Sequence, residues 1–209
     1  MKLKGLSILL LFIFCLGGTS VYSQVEPNGK SIGYDFDKLR GMPPFRSIPW
    51  GASKEYVLQN DPNPRKETGK DYLVLKGQLD DIDVNITYFF WEGHFIKGVY
   101  LTTDILGEYS TYFETFTRFK DLLVQKYGKP IIDLTNWVDV SYKNRPDKWL
   151  LALSRGHLEH FAYWSQEQIV ISIKLGAVDE RPAIKIEYYI KNFDEKMNQS
   201  NNKDVLKDL

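Results

Sequence analysis

The stretch 111–130, TYFETFTRFKDLLVQKYGKP, constrains this chain more than any other, because its start, its face and its stop can all be read. Thr111 followed by Glu114 has the spacing of a capping box, and Gly128 followed by Pro130 is a C-terminal stop. Between them Tyr112, Phe113, Phe116, Phe119, Leu123 and Tyr127 recur at helical spacing and form one broad apolar face. A helix with such a face needs a partner surface to bury it. The segments on either side read as strands, so the expected fold is α+β, with this helix packed on a sheet.

The strand readings rest on period-two alternation and turn residues. Runs at 72–79, 82–91 and 95–103 are joined by Asp80-Asp81 and by Glu92-Gly93-His94, which predicts an antiparallel meander. In the middle run Ile82, Val84, Ile86, Tyr88 and Phe90 share one face, and Asp83, Asn85 and Thr87 point the other way, which predicts a wet face. Upstream, 45–50 reads as a short strand and Gly51 as a turn. Ser53 reads as the N-cap of a helix over 54–60 that Pro62 and Pro64 stop. Downstream, 131–148 reads as irregular with Trp137 and Tyr142 as anchors, and strands are expected at 149–154, 158–164, 168–175 and 183–190.

An internal correspondence relates the two halves. Lys54-Glu55-Tyr56-Val57-Leu58-Gln59, leading to Pro64, matches Lys120-Asp121-Leu122-Leu123-Val124-Gln125, leading to Pro130, with the same spacing. Each is followed by a run opening on an aromatic and a leucine, Tyr72-Leu73 and Trp149-Leu150. The reading is a single domain over 45–191 made of two half-units, 45–108 and 109–191. Each is a helix plus an antiparallel meander, and each packs against its twin.

The N-terminus has a different grammar. Lys2 and Lys4 precede an apolar run over 6–16, then small and polar residues with Val21 and Ser23 placed for cleavage before Gln24. That order predicts a signal peptide at 1–23, and its apolar run falls short of the ~20 residues a membrane span needs. No transmembrane segment is therefore expected after cleavage. Cys15, the single cysteine, follows Phe14 where a lipoprotein site wants a small residue, so lipidation is not expected. The mature chain then lacks a cysteine for a disulfide, a thiol nucleophile or a thiolate metal site. Residues 24–44 read as a flexible lead-in anchored by Tyr34, Phe36 and Leu39, and 192–209 as a polar tail. A hydrophobic content of 43% fits a folded chain, and a formal charge of zero makes no electrostatic case for nucleic acid or an anionic membrane.

Phe45-Arg46, then Trp50-Gly51-Ala52-Ser53 and Val57, resembles the F-R-x-x-x-W-G-x-S-x-x-x-V opening of uncharacterised exported bacterial α+β proteins. Tyr127-Gly128-Lys129-Pro130 resembles a second signature in them. The resemblance implies export and an α+β fold, and brings no activity, cofactor or catalytic residue.

Candidate chemistry is sparse. Asp81, Asp83, Asn85 and Glu92 fall at four ligand positions of a calcium loop, but Ile86 stands where that loop requires glycine, so an alternating strand is the better reading. On a strand His157 and Glu159 share a face that His160 does not, so no metal is expected there. Ser53 reads as a cap, since no glycine pair frames it as a nucleophile elbow requires. Glycine-rich phosphate loops are absent and no cofactor is expected. The reading is an exported, non-catalytic binding module of the bacterial envelope or secretome, its partner a peptide, a glycan or an envelope protein. The alternative is a hydrolase acting through dispersed acids and histidines. Phe89 and Trp91 extend the polar face of the middle strand and must be covered. The cover is either the chain itself, through the second half-unit or 133–148 with Trp137, or a ligand laid on an aromatic shelf.

Overall fold

The computed structural model describes Leu39 and residues 41–191. The expected signal peptide at 1–23, the lead-in except Leu39 and 41–44, and the tail at 192–209 lie outside them. The described residues up to Ile190 fall within one compact unit.

Among the described residues eight antiparallel strands form a single sheet: β1 (Arg65–Thr68), β2 (Tyr72–Leu79), β3 (Ile82–Trp91), β4 (His94–Thr102), β5 (Ile132–Trp137), β6 (Leu158–Ser165), β7 (Ile169–Val178) and β8 (Arg181–Ile190). Their order is β1-β2-β3-β4-β8-β7-β6-β5, so each expected half-unit contributes four consecutive strands and the last strand of each lies at the centre. The halves therefore join edge to edge through β4 and β8, with Val99 opposite Glu187, rather than packing face to face. The fold is α+β as expected, with one meander sheet in place of two packed units.

Helices α1 (Lys54–Asn60), α2 (Tyr109–Tyr127) and α3 (Trp149–Ser154) complete the described elements, with two short 3-10 turns before α3. All three meet the same face of the sheet. From α1, Lys54 lies over the Phe90 ring; from α2, Tyr127 meets Tyr188; from α3, Trp149 meets Trp137. Strand pairing places those partners on the face lined by Leu73, Ile86, Ile171, Ile173 and Leu175, all at most 1% exposed. These side chains, buried against the helices, form the main apolar core.

Several sequence expectations fail for physical reasons. The run 149–154 is the helix α3, not a strand: five consecutive apolar residues carry no decisive period, and Trp-Leu-Leu-Ala-Leu-Ser favours a helix once a 3-10 turn over Pro146–Lys148 precedes it. The correspondence of Trp149-Leu150 with Tyr72-Leu73 falls with it. Residues 131–148, read as irregular, contain β5, an edge strand with five exposed residues out of six and hence little burial to shape its sequence. The short charged strand β1 also escapes the sequence pattern. Residues 45–50 form a tight turn with a single bridge from Phe45 to Ile48, not a strand. Helix α2 begins at Tyr109, two residues before Thr111, so the capping box does not form; Thr111 is interior and its carbonyl accepts from Thr115 Oγ1 at 2.8 Å. The Gly128 stop holds, at φ +80°. Phe113, expected in the buried stripe, is 39% exposed. The expected wet face is wet only at its Asp83 end, since Asn85 and Thr87 are both 9% exposed.

Candidate functional site

On the helix-bearing face, the polar residues near the F-R-x-x-x-W-G-x-S-x-x-x-V segment are structural. Phe45 packs against Tyr88, Phe95, Tyr100 and Tyr188, and Trp50 stacks on Phe95 with 5.0 Å between ring centroids. Arg46, in the left-handed region at φ +59°, sends its guanidinium back to Asp61 with an Nε to Oδ2 distance of 2.9 Å. Asp61 also accepts from the Tyr88 hydroxyl at 2.5 Å and from Asn63 Nδ2 at 2.7 Å. Burial by itself raises the Asp61 carboxyl, but the hydrogen bonds from Tyr88 and Asn63 and the charge of Arg46 hold it below the usual carboxylate range. Ser53 Oγ accepts from Tyr56 N–H at 3.2 Å, as an N-cap does, and Val57 is fully buried. Phe45, Arg46, Trp50, Ser53 and Val57 are thus accounted for by ring packing, an ion pair, a helix cap and burial.

His160 lies under α2 on the same face, 5% exposed. Its Nε2 is 2.9 Å from the Tyr109 hydroxyl and its Nδ1 2.9 Å from Thr135 Oγ1, so one hydroxyl donates to the ring and the other accepts from it. Burial, then the nearby Lys120 charge, lowers its pKa to about 4, and the ring is neutral at physiological pH. Phe113 and Phe116 flank the imidazole. The group ties α2 to β5 and β6, and its nitrogens are engaged by hydroxyls, not by the carboxylate that would orient a general base.

The other face of the sheet carries no helix among the described residues. Strand register reads it as rows. One row runs Tyr72, Phe89, Lys97, Tyr189, Val170, Ser165; the next runs Val74, Thr87, Val99, Glu187, Ser172, Tyr163, Ile132. A third runs Lys76, Asn85, Leu101, Lys185, Lys174, Phe161, Leu134. At the centre Glu187 takes Lys97 Nζ at 2.8 Å and Lys185 Nζ at 3.1 Å, with 16% of its side chain exposed. Burial raises its carboxyl, but the two ammonium groups outweigh that and keep it ionised and below its ordinary value. Lys97 Nζ stands 5.9 Å from the Phe89 ring centroid and 5.7 Å from that of Tyr189, a cation held between two rings. Aromatic residues thus lie on both sides of a fixed charge centre, Phe89 and Trp91 on β3 and Phe161 and Tyr163 on β6, all half-buried.

The structure keeps Phe89 and Trp91 on this face but places Trp137 elsewhere. Trp137 pairs with Leu158 and so lies on the helix-bearing face, and its strand is five positions from β3, about 24 Å away at the usual strand spacing. The 133–148 segment is therefore not the cover of Phe89 and Trp91, and the second half-unit extends the sheet beside them. Asp81, read as a calcium-loop position, accepts from Arg118 at 2.7 Å, and Asp83 accepts from Gln78 at 2.9 Å. His157 stacks on Tyr142, and Glu159 pairs with Lys174. Among the described residues no group of three or more His, Cys, Asp or Glu gathers as a metal site requires. No described helix is long and apolar enough to cross a membrane. Sequence reasoning missed the Lys97, Glu187 and Lys185 centre, although Lys97, Lys185 and Glu187 are the charges that interrupt the apolar runs HFIKGV and IKIEYYI. Neither a protein-family model, nor a curated protein, nor a solved structure matches the chain.

Proposed function

We propose that this protein is an exported, non-catalytic binding module that presents the helix-free face of its sheet to an extended peptide or glycan. The observation that carries the reading is the layout of that face: half-buried rings of Phe89, Phe161 and Tyr163 around the Lys97–Glu187–Lys185 centre, on strands whose register is held from behind by the helices. Rings give contact area at low entropic cost, and a desolvated charge pair supplies directional groups at the middle of it. The alternative, a hydrolase, finds its best candidate base in His160, whose two nitrogens are engaged by Tyr109 and Thr135. The test is a screen of the full chain against a random-peptide display library and an array of glycans, repeated with Phe89→Ala and Phe161→Ala. The reading expects a ligand class whose capture drops at least tenfold in both variants while their melting temperatures stay within a few degrees. Turnover of an ester, peptide or glycoside that disappears in His160→Ala would replace it with the hydrolase.

A further inference from the structure

The two edges of the sheet are built differently. Edge strand β1 is four residues long, carries Arg65, Lys66 and Glu67, and is broken by a register shift between Arg65 and Glu67. Those are the usual devices that stop an edge from pairing. Edge strand β5 has none of them. It runs six residues in unbroken register with β6, contains no lysine or proline, and its one charge, Asp133, is paired with Lys120 at 2.9 Å. Val138 N–H donates to His157 O at 2.9 Å. Alternation along an antiparallel pair then directs the N–H and C=O groups of Ile132, Leu134 and Asn136 toward β6 and those of Asp133, Thr135 and Trp137 outward. Ile132 and Leu134, 41% and 45% exposed, lie on the helix-free face, and Val138 just beyond the strand is 64% exposed.

We infer that β5 is a pairing edge for a second copy of this chain, antiparallel about a two-fold axis. Charge rules out one register, and the exposed Leu134 favours the one beside it. An axis through Asp133 would set two carboxylates directly opposite each other. An axis through Leu134 sets that leucine against its own copy, each Asp133 opposite a Thr135, and each Ile132 opposite an Asn136. The outward N–H and C=O groups of Asp133 and Thr135 then exchange hydrogen bonds across the axis, as they do in every other pair of this sheet. Paired residues share a face, so the two helix-free faces lie on the same side of the joined sheet. One strand edge and a few half-exposed apolar side chains cover less than the ~800 Å² per partner of a standard stable interface, so the dimer is a weak one that forms at micromolar concentration or above.

Sedimentation equilibrium of the full chain from low micromolar to submillimolar concentration should show a reversible monomer to dimer transition. Leu134→Lys, which places two ammonium groups across the axis, should leave a monomer over the whole range. To separate lost pairing from lost folding, Leu134→Cys is made in a Cys15→Ser background and oxidised at a concentration where the dimer is populated. A leucine on the axis places the two thiols in a close, non-hydrogen-bonded pair and gives a covalent dimer, whereas Lys76→Cys in the same background gives none. A wild-type protein that is monomeric throughout, a dimer unaffected by Leu134→Lys, or equal crosslinking by the two cysteine variants would overturn the inference.

Discussion

The Phe45 ring lies directly on the backbone of Gly98: a Cβ built at Gly98 would stand 2.5 Å from Cδ1 of the ring. The contact closes the sheet's centre, because Gly98 is opposite both Tyr88 and Tyr188 and the ring packs on each of them. Gly98→Ala should therefore cost about 1–3 kcal/mol, the range for overpacking a full core. Chemical denaturation measures it, and adding Phe45→Leu to Gly98→Ala should recover part of the loss.

Asp61 is the hub for Arg46, Tyr88 and Asn63, with 1% of its side chain exposed. Asp61→Ala strands the guanidinium and a buried hydroxyl together, which should cost about 2–4 kcal/mol. Arg46→Ala should cost less, because that side chain is 23% exposed and its removal leaves Asp61 its hydrogen bonds. Thermal melts of the two single variants would show the order.

His160 makes stability fall in mild acid. Its pKa in the folded chain is about 4, against 6.5 for the free side chain, so between those values the unfolded chain binds a proton that the folded chain does not. Stability from this group is complete above pH ~6.5 and is lost as pH falls toward 4, by about 3 kcal/mol across that interval. Asp61 and Glu187, both lowered, add their own losses below the carboxylate range. His160→Gln should flatten the slope between pH 4 and 6.5 in denaturation curves and leave the steeper acid limb in place.

Much of the fold could be read because local rules and burial agree in it. Alternation over β3, the Glu92-Gly93 hairpin with both residues at positive φ, the Ser53 cap and the Gly128 stop each belong to a few neighbouring residues. What escaped depends on distant partners. Trp149–Ser154 has no period of its own and becomes helical by packing on β6, β7 and β8. β5 pairs on one side only and is not buried enough to write an alternating pattern. The candidate site was half legible: Phe89 and Trp91 could be placed on a face, but Lys97 and Glu187 come together only because β4 and β8 join, a pairing between strands far apart in sequence. Trp137 was misplaced for the same reason, since no local rule sets the strand order.

Export has its own check. Mass spectrometry of the protein recovered outside the cytoplasm should find Gln24 at the N-terminus without an acyl chain. A chain beginning at lipidated Cys15 would contradict the reading of 1–23.

The proposed binding face is tested most directly by backbone amide NMR of the full chain, titrated with the strongest peptide or glycan from the screen. The account predicts shift changes centred on Phe89, Lys97, Glu187, Phe161 and Tyr163, spreading along the rows those residues share. Changes centred instead on Tyr109, Thr135 and His160, or along α2, would contradict it.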